Sequence, residues 1–504
     1  MAGNLQIVEQ IKFFFEPKSV AIIGASKKVN KAGYVIFKNF VENKRSGLYK
    51  GELYPVNPNE DTILGYDCYP SITKIPNEVD LAVVVIPAVG VPPAMEEAAV
   101  KGVKAAIIIT SGFSEVGNHE LEHKVKEIAS KAGMRVLGPN CLGVYDPLTG
   151  IDTLFLPETK VLISGEEVIA TPRPKLGDIA VVTQSGAFGV ASLDYLAGRR
   201  LGISRFVSFG NRVDLDESDF LEYFLKDEQT KAILCYLEGI RNGKRFMEVA
   251  REVTKVKPIV ALKTGKTSAG AKAAMSHTGS IAGSDEIYST AFAQSGIIRA
   301  RDMEEFFDMC KALVFQPPTT GRNIVIITDA GGPAIMAADE CELRGLKVGV
   351  LPEDCASVLK KMKEDAEIPQ FASINNPVDL TGSVTSDMFV SVTKAVLQSS
   401  GVNGVILLGL HHVPGLQEDY VDKIAAISRN FLKPIIACDI GETEMALYIR
   451  SKFEKFEIPS YSSPEDSARV MAALYSYGEY LRSQGCLERY LASFKKRKDS
   501  TNTY

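Results

Sequence analysis

The sequence predicts an α/β protein made of open parallel sheets, with one Rossmann-like domain followed by two flavodoxin-like domains. Short apolar runs recur along the chain and alternate with helical patterns. Examples of these runs are residues 19–23, 81–86, 105–110, 179–183, 233–237, 324–328 and 404–408. Their apolar residues are continuous, which is typical of parallel strands that helices bury on both faces.

An internal repeat indicates that the second half contains two related domains. Residues 178–186 and 323–331 share one strand–turn–helix pattern, and residues 213–215 and 378–380 form a second pair of repeated segments. Each segment of this second pair precedes a helical stretch and then another buried strand. The simplest explanation is a pair of flavodoxin-like domains.

Turn-forming residues mark the predicted domain boundaries. Residues 145–150 form the first such stretch, and the paired prolines in residues 315–321 form the second. The basic run at 495–498 indicates a solvated chain end. The predicted organisation is a Rossmann-like domain at 1–147, flavodoxin-like domains at 148–318 and 319–484, and a C-terminal tail at 485–504.

Composition excludes several functional classes. The chain has 504 residues, of which 45% are hydrophobic and 24% are charged, and its net charge of -5 argues against nucleic-acid binding. No apolar run reaches the roughly 18 residues that a membrane-spanning helix needs. The eight cysteines are scattered without a Cys-x-x-Cys pair, so we expect a reduced cytoplasmic protein without a metal site.

The strongest candidate for chemistry is His277, which lies in a loop of small residues at 269–285. Glycines and alanines allow such a loop to bend and to approach other backbone closely. Neutral imidazole is a competent nucleophile near pH 7, so His277 is suited to carry a group between two sites. A solvated loop histidine is the alternative interpretation.

Loops that follow the N-terminal strands outline a binding site. Gly24, Ala25 and Ser26 follow the first strand and feed a helix, a pattern that binds phosphate through backbone N–H groups. Asn57 stands where a nicotinamide site usually has an acid, which argues against NAD. Pro87 and the turn at Asn140 follow further strands and therefore lie at the same sheet edge. A tight turn without a ligand is the alternative.

Two more strand ends carry candidate residues in the first flavodoxin-like domain. Ser185 and Gly186 begin a helix that is suited to hold phosphate, and Thr183 replaces the first glycine of a hydrolase elbow. Glu238 ends a strand and is suited to orient His277, although a surface carboxylate is the alternative. The second copy is apolar near the Glu238 position. Its pair His411 and His412 is a weaker candidate because no carboxylate stands at ligand spacing.

Taken together, these segments resemble the α subunit of ADP-forming acyl-CoA synthetases of the acetate–CoA ligase type, which are relatives of succinyl-CoA synthetase. The resemblance covers residues 17–484 and leaves only the tail uncovered. The matching segments are residues 20–26, 54–59, 138–141, 183–186, 236–239, 276–280, 328–333 and 376–382.

The resemblance implies a CoA-binding domain followed by two ligase domains. It makes His277 the phosphorylated histidine, Glu238 its stabilising carboxylate, and Ser185 with Gly186 the phosphate site. It implies that acyl-CoA, ADP and phosphate are converted reversibly to a carboxylic acid, ATP and CoA. The residues that it places near CoA are Gly24, Ala25, Ser26, Asn57, Pro87 and Asn140.

The resemblance also implies a partner. Nucleotide and Mg2+ bind an ATP-grasp unit in this family, so we expect a separate β subunit that carries ADP or ATP, in an α2β2 assembly. The first alternative is a non-catalytic CoA or acyl-CoA sensor on the same scaffold. The second is a nicotinamide oxidoreductase, against which the single glycine and the missing acid count.

Overall fold

The computed structural model describes residues 2–272 and 284–501. It divides into two compact units, Met1–Ser295 and Gly296–Tyr504. Within the described ranges no helix is both long enough and apolar enough to cross a bilayer.

The first sheet of the first unit is entirely parallel, with strand order β2-β1-β5-β6-β7. Every residue of β1, β5 and β6 is buried, as continuous apolar runs predict. Its elements are α1 (Ala2–Phe15), β1 (Ser19–Ile23), α2 (Ala32–Arg45), β2 (Glu52–Val56), β3 (Thr62–Ile63), β4 (Tyr66–Asp67), β5 (Leu81–Val84), α3 (Val91–Lys101), β6 (Ala105–Ile108), α4 (His119–Ala132) and β7 (Arg135–Leu137).

The second sheet of this unit has the order β15-β14-β12-β13-β8-β9. Strands β12 to β15 are parallel, whereas β8 pairs with β13 in the antiparallel sense. The elements are β8 (Gly143–Asp146), β9 (Ile151–Asp152), β10 (Thr159–Val161), β11 (Glu167–Ile169), β12 (Leu176–Thr183), α5 (Gly186–Gly198), β13 (Ile203–Ser208), α6 (Glu217–Lys226), β14 (Ala232–Leu237), α7 (Gly243–Thr254), β15 (Ile259–Lys263) and α8 (Asp285–Gln294).

The second unit contains a parallel sheet with the order β18-β17-β19-β20-β21. Helices bury it in an apolar core that includes Leu359, Val396 and Phe453. The elements are β16 (Ile298–Ala300), α9 (Met303–Phe315), β17 (Ile324–Thr328), α10 (Gly331–Leu343), α11 (Glu353–Glu364), β18 (Val378–Asp379), α12 (Ser386–Gln398), β19 (Gly404–Leu408), α13 (Asp419–Ser428), β20 (Ile435–Cys438), α14 (Glu444–Lys455), β21 (Ser460–Tyr461), α15 (Pro464–Ser483) and α16 (Leu487–Thr501).

The first pair of repeated segments, residues 178–186 and 323–331, has the same structure in both copies. Strands β12 and β17 each end in a threonine and lead directly into a helix of 13 residues. In both turns the threonine hydroxyl donates to a carbonyl two residues later, at 2.8 Å from Thr183 and 3.0 Å from Thr328. The repeat therefore extends to the hydrogen bonds of the turn.

The second pair of repeated segments has a different secondary structure in the two copies. Val378 and Asp379 form strand β18, whereas residues 213–215 lie in the loop after β13. Strand β13 supplies the corresponding pairing with β12 a few residues earlier in the chain. In both copies the segment is followed by a helix and then by a buried strand, as predicted: α6 and β14 in the first copy, and α12 and β19 in the second.

The predicted domain boundaries at 147 and 318 remain predictions. Strand β8 belongs to the first predicted domain, but it pairs with β13 of the second sheet. The division between the two compact units falls at Ser295 and Gly296. The predicted tail contains the helix α16.

Candidate active site

The loop after β1 depends on two glycines that touch. Gly24 has a φ of +97°, and a Cβ there would stand 2.3 Å from the carbonyl oxygen of Val85. A Cβ on Gly33, in the first turn of α2, would stand 2.0 Å from the carbonyl oxygen of Gly24. The sequence analysis identified Gly24 but missed this contact. Together the two glycines allow the helix start to lie directly on the loop.

Asn57 ties the loops after β1 and β2 together. Its amide nitrogen donates to the carbonyl oxygen of Ala25 at 2.7 Å, and its side-chain oxygen accepts from the backbone N–H of Asn59 at 2.9 Å. The hydroxyl of Ser26 accepts from the backbone N–H of Lys28 at 3.1 Å. The four predicted residues Gly24, Ala25, Ser26 and Asn57 therefore lie together at one sheet edge.

A cavity of about 740 Å³ lies where strand ends of the two sheets of the first unit meet. Four of the predicted residues line it: Pro87 and Asn140 from the first sheet, and Ser185 and Gly186 from the second. Residues that the sequence analysis did not select also line it, among them Gln184 and Arg212. The structure thus brings together two sets of predicted residues that are far apart in the chain.

The N-terminus of α5 opens on this cavity. Ser185 is the N-cap, and its hydroxyl accepts from the backbone N–H of Phe188 at 3.3 Å. Gly186 and Ala187 begin the helix and line the cavity. Free backbone N–H groups and the helix dipole make such an end favourable for an anion.

Glu238 is buried, with 6% of its surface exposed, so the surface-carboxylate alternative is wrong. The side-chain oxygen of Gln184 accepts from the backbone N–H groups of Glu238 at 2.9 Å and of Gly239 at 3.2 Å. Burial, together with the charge of Glu238, raises the pKa of Tyr236, and a hydrogen bond with Thr264 opposes the rise. The carboxylate therefore lies beside the Tyr236 hydroxyl.

Arg212 is the main functional candidate that sequence reasoning missed. It is 3% exposed, has a φ of +61°, and lines the cavity. One guanidinium nitrogen donates to Glu217 at 3.2 Å and to the carbonyl oxygen of Gly239 at 2.6 Å. The rule that ligands lie beyond the carboxyl ends of strands identifies Arg212 in retrospect, since it follows β13.

A second arginine lies beside the first. Arg241 donates to the carbonyl oxygens of Arg212 at 2.5 Å and of Asn211 at 2.8 Å. Burial and the nearby charge of Arg212 lower the pKa of Arg241. Arg212 is the member of this pair that lines the cavity, and its guanidinium favours a negative charge there.

Asn211 connects the loops of the two sheets around the cavity. Its side-chain oxygen accepts from Asn140 at 3.3 Å, and its amide nitrogen donates to Glu115 at 2.6 Å. Burial favours the neutral form of Glu115, but hydrogen bonds from Asn211 and from backbone N–H groups outweigh it and lower the pKa of Glu115. The Asn140 turn is therefore held by a network that spans both sheets.

Cys141 lines the cavity as a buried residue. Burial raises the pKa of its thiol to about 12. A neutral thiol is a poor nucleophile, so the cavity offers no reactive cysteine at this position. His277, by contrast, lies outside the described residues, and its assignment remains a prediction.

The interpretation of His411 needs a correction. Its Nδ1 lies 2.7 Å from a carboxylate oxygen of Asp439, a residue that follows the neighbouring strand β20. Asp329 occupies the position of Gln184 in this copy and accepts from the backbone N–H of Leu410 at 2.9 Å. Burial, with the charges of Asp439 and Asp379, raises the pKa of Asp329 to about 7. The carboxylate partner was missed because strand pairing, not sequence spacing, supplies it.

Three family models cover most of the chain in order. A CoA binding domain matches residues 18–147, a succinyl-CoA ligase like flavodoxin domain matches residues 176–313, and a Ligase-CoA domain matches residues 324–485. The first of these models is a CoA-binding one, which counts against the nicotinamide alternative.

Full-length relatives decide the family. The α subunit of acetate–CoA ligase [ADP-forming] I from Pyrococcus furiosus is 40% identical over 481 residues, which cover 93% of this chain and 98% of the relative. The chain belongs to the family of ADP-forming acetate–CoA ligases. A further member, acetate–CoA ligase [ADP-forming] from Methanocaldococcus jannaschii, is 38% identical over 97% of this chain. This chain spans only 66% of that longer relative.

A solved member of this family has the same fold. The dinucleotide forming acetyl-coenzyme A synthetase 1 from Ca. Korarchaeum cryptofilum, in complex with phosphate and ADP, matches with a TM-score of 0.84 and 35% identity. The match covers 94% of this chain and 98% of that one. The predicted α/β fold class and the predicted family are therefore confirmed.

Proposed function

We propose that this chain is the α subunit of an ADP-forming acyl-CoA synthetase. The reaction is the reversible conversion of acyl-CoA, ADP and phosphate to a carboxylic acid, ATP and CoA. The observation that carries the proposal is the cavity that joins the turns of Pro87 and Asn140 to the N-terminus of α5. A thioester and a phosphate ion have to meet in this reaction, and the two walls of the cavity are suited to one each.

CoA is assigned to the first sheet. The Gly24 loop and the start of α2 offer close backbone approach, and Asn57 fixes that loop through its bond to Ala25. Pro87 and Asn140 line the cavity into which the thioester would extend. Cavities of several hundred Å³ with a few polar groups are typical of small-molecule sites.

Phosphate is assigned to Ser185 and Gly186, with Arg212 nearby. A phosphate oxygen attacks the thioester carbonyl carbon, the C–S bond breaks, and the CoA thiolate leaves and takes up a proton. The helix N-terminus and the guanidinium of Arg212 stabilise the charge that develops on the transferred group. The product of this first step is an acyl phosphate.

His277 and Glu238 are assigned to the second step. A ring nitrogen of His277 attacks the phosphorus, the P–O bond between phosphorus and the carboxyl oxygen breaks, and the carboxylate leaves with the electron pair. Glu238 would orient the imidazole and stabilise its charged form. An oxygen of the terminal phosphate of ADP then attacks the phosphohistidine, the N–P bond breaks, and ATP forms.

ADP and Mg2+ are assigned to a separate β subunit with an ATP-grasp fold, in an α2β2 complex. The relatives support a partner because they differ in length. The α subunit from Pyrococcus furiosus matches this chain over 98% of its own length, whereas the longer relative from Methanocaldococcus jannaschii matches over only 66% of its own. A cytoplasmic location remains a prediction from the scattered cysteines.

Phosphoenzyme formation tests the proposed function. The purified chain is mixed with a panel of acyl-CoAs and inorganic phosphate, and the acid-labile phosphoryl group is located by intact mass and peptide mapping. Label on His277 is expected, and the most efficient acyl-CoA would identify the acid. Intact fold and CoA binding without label would favour the sensor alternative, if the β subunit with Mg2+ and ATP also failed to phosphorylate the chain.

Gly24→Ala is expected to weaken CoA binding by about tenfold or more, because a side chain at this left-handed position would displace the loop from the shape that allows close backbone approach to CoA. The added Cβ would also stand 2.3 Å from the carbonyl oxygen of Val85. Gly47→Ala is the matched control, because Gly47 has a φ of +80° and nothing within 4 Å of its Cβ position. Calorimetric titration with CoA measures both variants. Equal affinities would remove the Gly24 loop from the CoA site.

Glu238→Gln is expected to lower the yield and rate of phosphohistidine formation on the order of a hundredfold. The amide keeps the shape of the buried side chain but removes the charge that would stabilise imidazolium. Glu252→Gln is the control, because Glu252 is exposed on α7. Peptide mapping of the phosphoenzyme measures the difference, and an unchanged yield would assign Glu238 a purely structural role.

A further inference from the structure

A second cavity, of about 430 Å³, lies in the second unit. Its walls come from the segments just before β17, β20 and β21 and from the terminal helix α16. It is therefore at the amino ends of those strands, whereas Asp329, His411 and Asp439 follow the carboxyl ends of strands in the same sheet. No residue of this cavity takes part in the reaction proposed above.

The basic run at 495–498 lies on α16 and is only partly solvated, because Lys495 and Lys496 are exposed whereas Arg497 and Lys498 are half-buried. Lys498 forms an ion pair with Glu457 and lies 5.4 Å from the ring centre of Phe494. Arg497 donates to the carbonyl oxygen of Val314 at 3.2 Å. These contacts hold α16 in place and direct Lys495 and Lys498 to the cavity.

The charges around the cavity are unbalanced. Lys433 donates hydrogen bonds to the carbonyl oxygens of Leu397 at 2.8 Å and Ser399 at 2.5 Å, and Lys498 forms an ion pair with Glu457. Three more cations line the cavity and have no hydrogen-bond or ion-pair partner in the described part of the chain. These are Arg429, Lys455 and Lys495.

Helix ends do not account for all three cations. Arg429 and Lys455 lie at the C-terminal ends of α13 and α14, where a positive charge is favoured by the helix dipole. Lys495 lies inside α16, more than a turn from its end, where the dipole contributes little. Asp499 is the carboxylate on the cavity wall besides Glu457. The cations that line the cavity outnumber these two carboxylates, so an anion with more than one negative charge would balance the excess positive charge.

The same cavity presents flat apolar surfaces. Phe315 and Phe431 are half-buried there, and Phe456 is 36% exposed. Aromatic faces beside cations suit a ligand that combines a planar ring with phosphate groups, because rings stack on phenylalanine and phosphates pair with lysine and arginine. The volume lies within the range of small-molecule sites.

We propose that this cavity binds a nucleoside diphosphate, with the phosphates toward Arg429, Lys455 and Lys495 and the base among the phenylalanines. The proposal does not rest on the function assigned above. That function places its own ADP on another subunit, and it is tested separately by label on His277.

ADP binding to the purified full chain tests the site, measured by calorimetry with CoA present at saturation so that the first cavity is filled. One ADP site is expected. Lys455→Glu and Lys495→Glu are each expected to weaken ADP binding by roughly tenfold or more. Lys496→Glu is the matched control, because Lys496 is exposed on the same helix and does not line the cavity.

Phe431→Ala separates the ring from the phosphates. It is expected to weaken binding of ADP while leaving that of inorganic pyrophosphate unchanged. The proposal is overturned by absence of ADP binding, by complete loss of it when CoA is added, or by equal effects of Lys495→Glu and Lys496→Glu. Thermal unfolding of each variant confirms that the fold is kept.

Discussion

Replacing His277 with alanine is expected to abolish phosphoenzyme formation and, in the presence of the β subunit, ATP synthesis. The methyl group has no lone pair to attack phosphorus, so no phosphoryl carrier remains. CoA binding is expected to be unchanged, because the residues assigned to CoA belong to the first sheet. The measurements are intact mass after incubation with acyl-CoA and phosphate, and calorimetry with CoA.

His123→Ala is the matched control for this prediction. His123 is exposed on α4 of the same unit and contributes to no part of the proposed mechanism. It is expected to leave phosphoenzyme formation at the level of the unmodified chain. Full ATP synthesis by the His277→Ala variant would remove the central step of the proposed mechanism.

Arg212→Met is expected to destabilise the first unit by about 3–5 kcal/mol and to abolish turnover. Methionine is apolar and flexible, so it leaves the buried carboxylate of Glu217 without its ion-pair partner. It also removes the positive charge that lines the cavity and the hydrogen bond that Arg212 donates to Gly239. Urea unfolding measures the first effect, and phosphoenzyme yield measures the second.

The loss of stability should depend on pH in a defined direction. Burial raises the pKa of Glu217 above its usual value, and the charge of Arg212 opposes the rise. Without Arg212 the folded state holds the proton of Glu217 more strongly than the unfolded state, so stability falls as the pH rises. The deficit relative to the unmodified chain is therefore expected to be smaller near pH 5 than near pH 8.

Arg200→Met controls for the backbone at position 212. Arg200 also has a positive φ, of +56°, but its side chain is exposed. Both substitutions place methionine in the left-handed region, so the difference between them reports the buried ion pair. Equal stabilities for the two variants would show that the Arg212–Glu217 pair contributes no net stability.

The strands were predictable because each apolar run must be buried wherever it lies. Predicted and observed bounds agree for β1, β17 and β19, whereas the runs at 81–86 and 105–110 extend past the ends of β5 and β6. The extra residues form the loops of the sheet edge, where backbone leaves the ladder to line the cavity. Hydrophobicity indicates burial, but it does not mark the last hydrogen bond of a strand.

The candidate site was predictable where the residues that form a feature are neighbours in the sequence. Ser185 and Gly186 begin a helix in sequence and in structure, and Asn57 follows a strand in both. Gln184 lies in the same motif, but its side-chain oxygen accepts from the backbone N–H of Glu238, far along the chain. A bond of that kind depends on β12 and β14 being neighbours, which no local pattern states.

The sequence alone determined the α/β class, the repeat of β12–α5 in β17–α10, and the family, because each follows from local order along the chain. Tertiary structure alone decided which strand ends meet. It placed Arg212 over Gly239, Asp439 against His411 and the terminal lysines beside a cavity. The physical reason is that strand order sets the neighbours of each side chain, and burial then sets the charge and hydrogen bonding that each neighbour experiences.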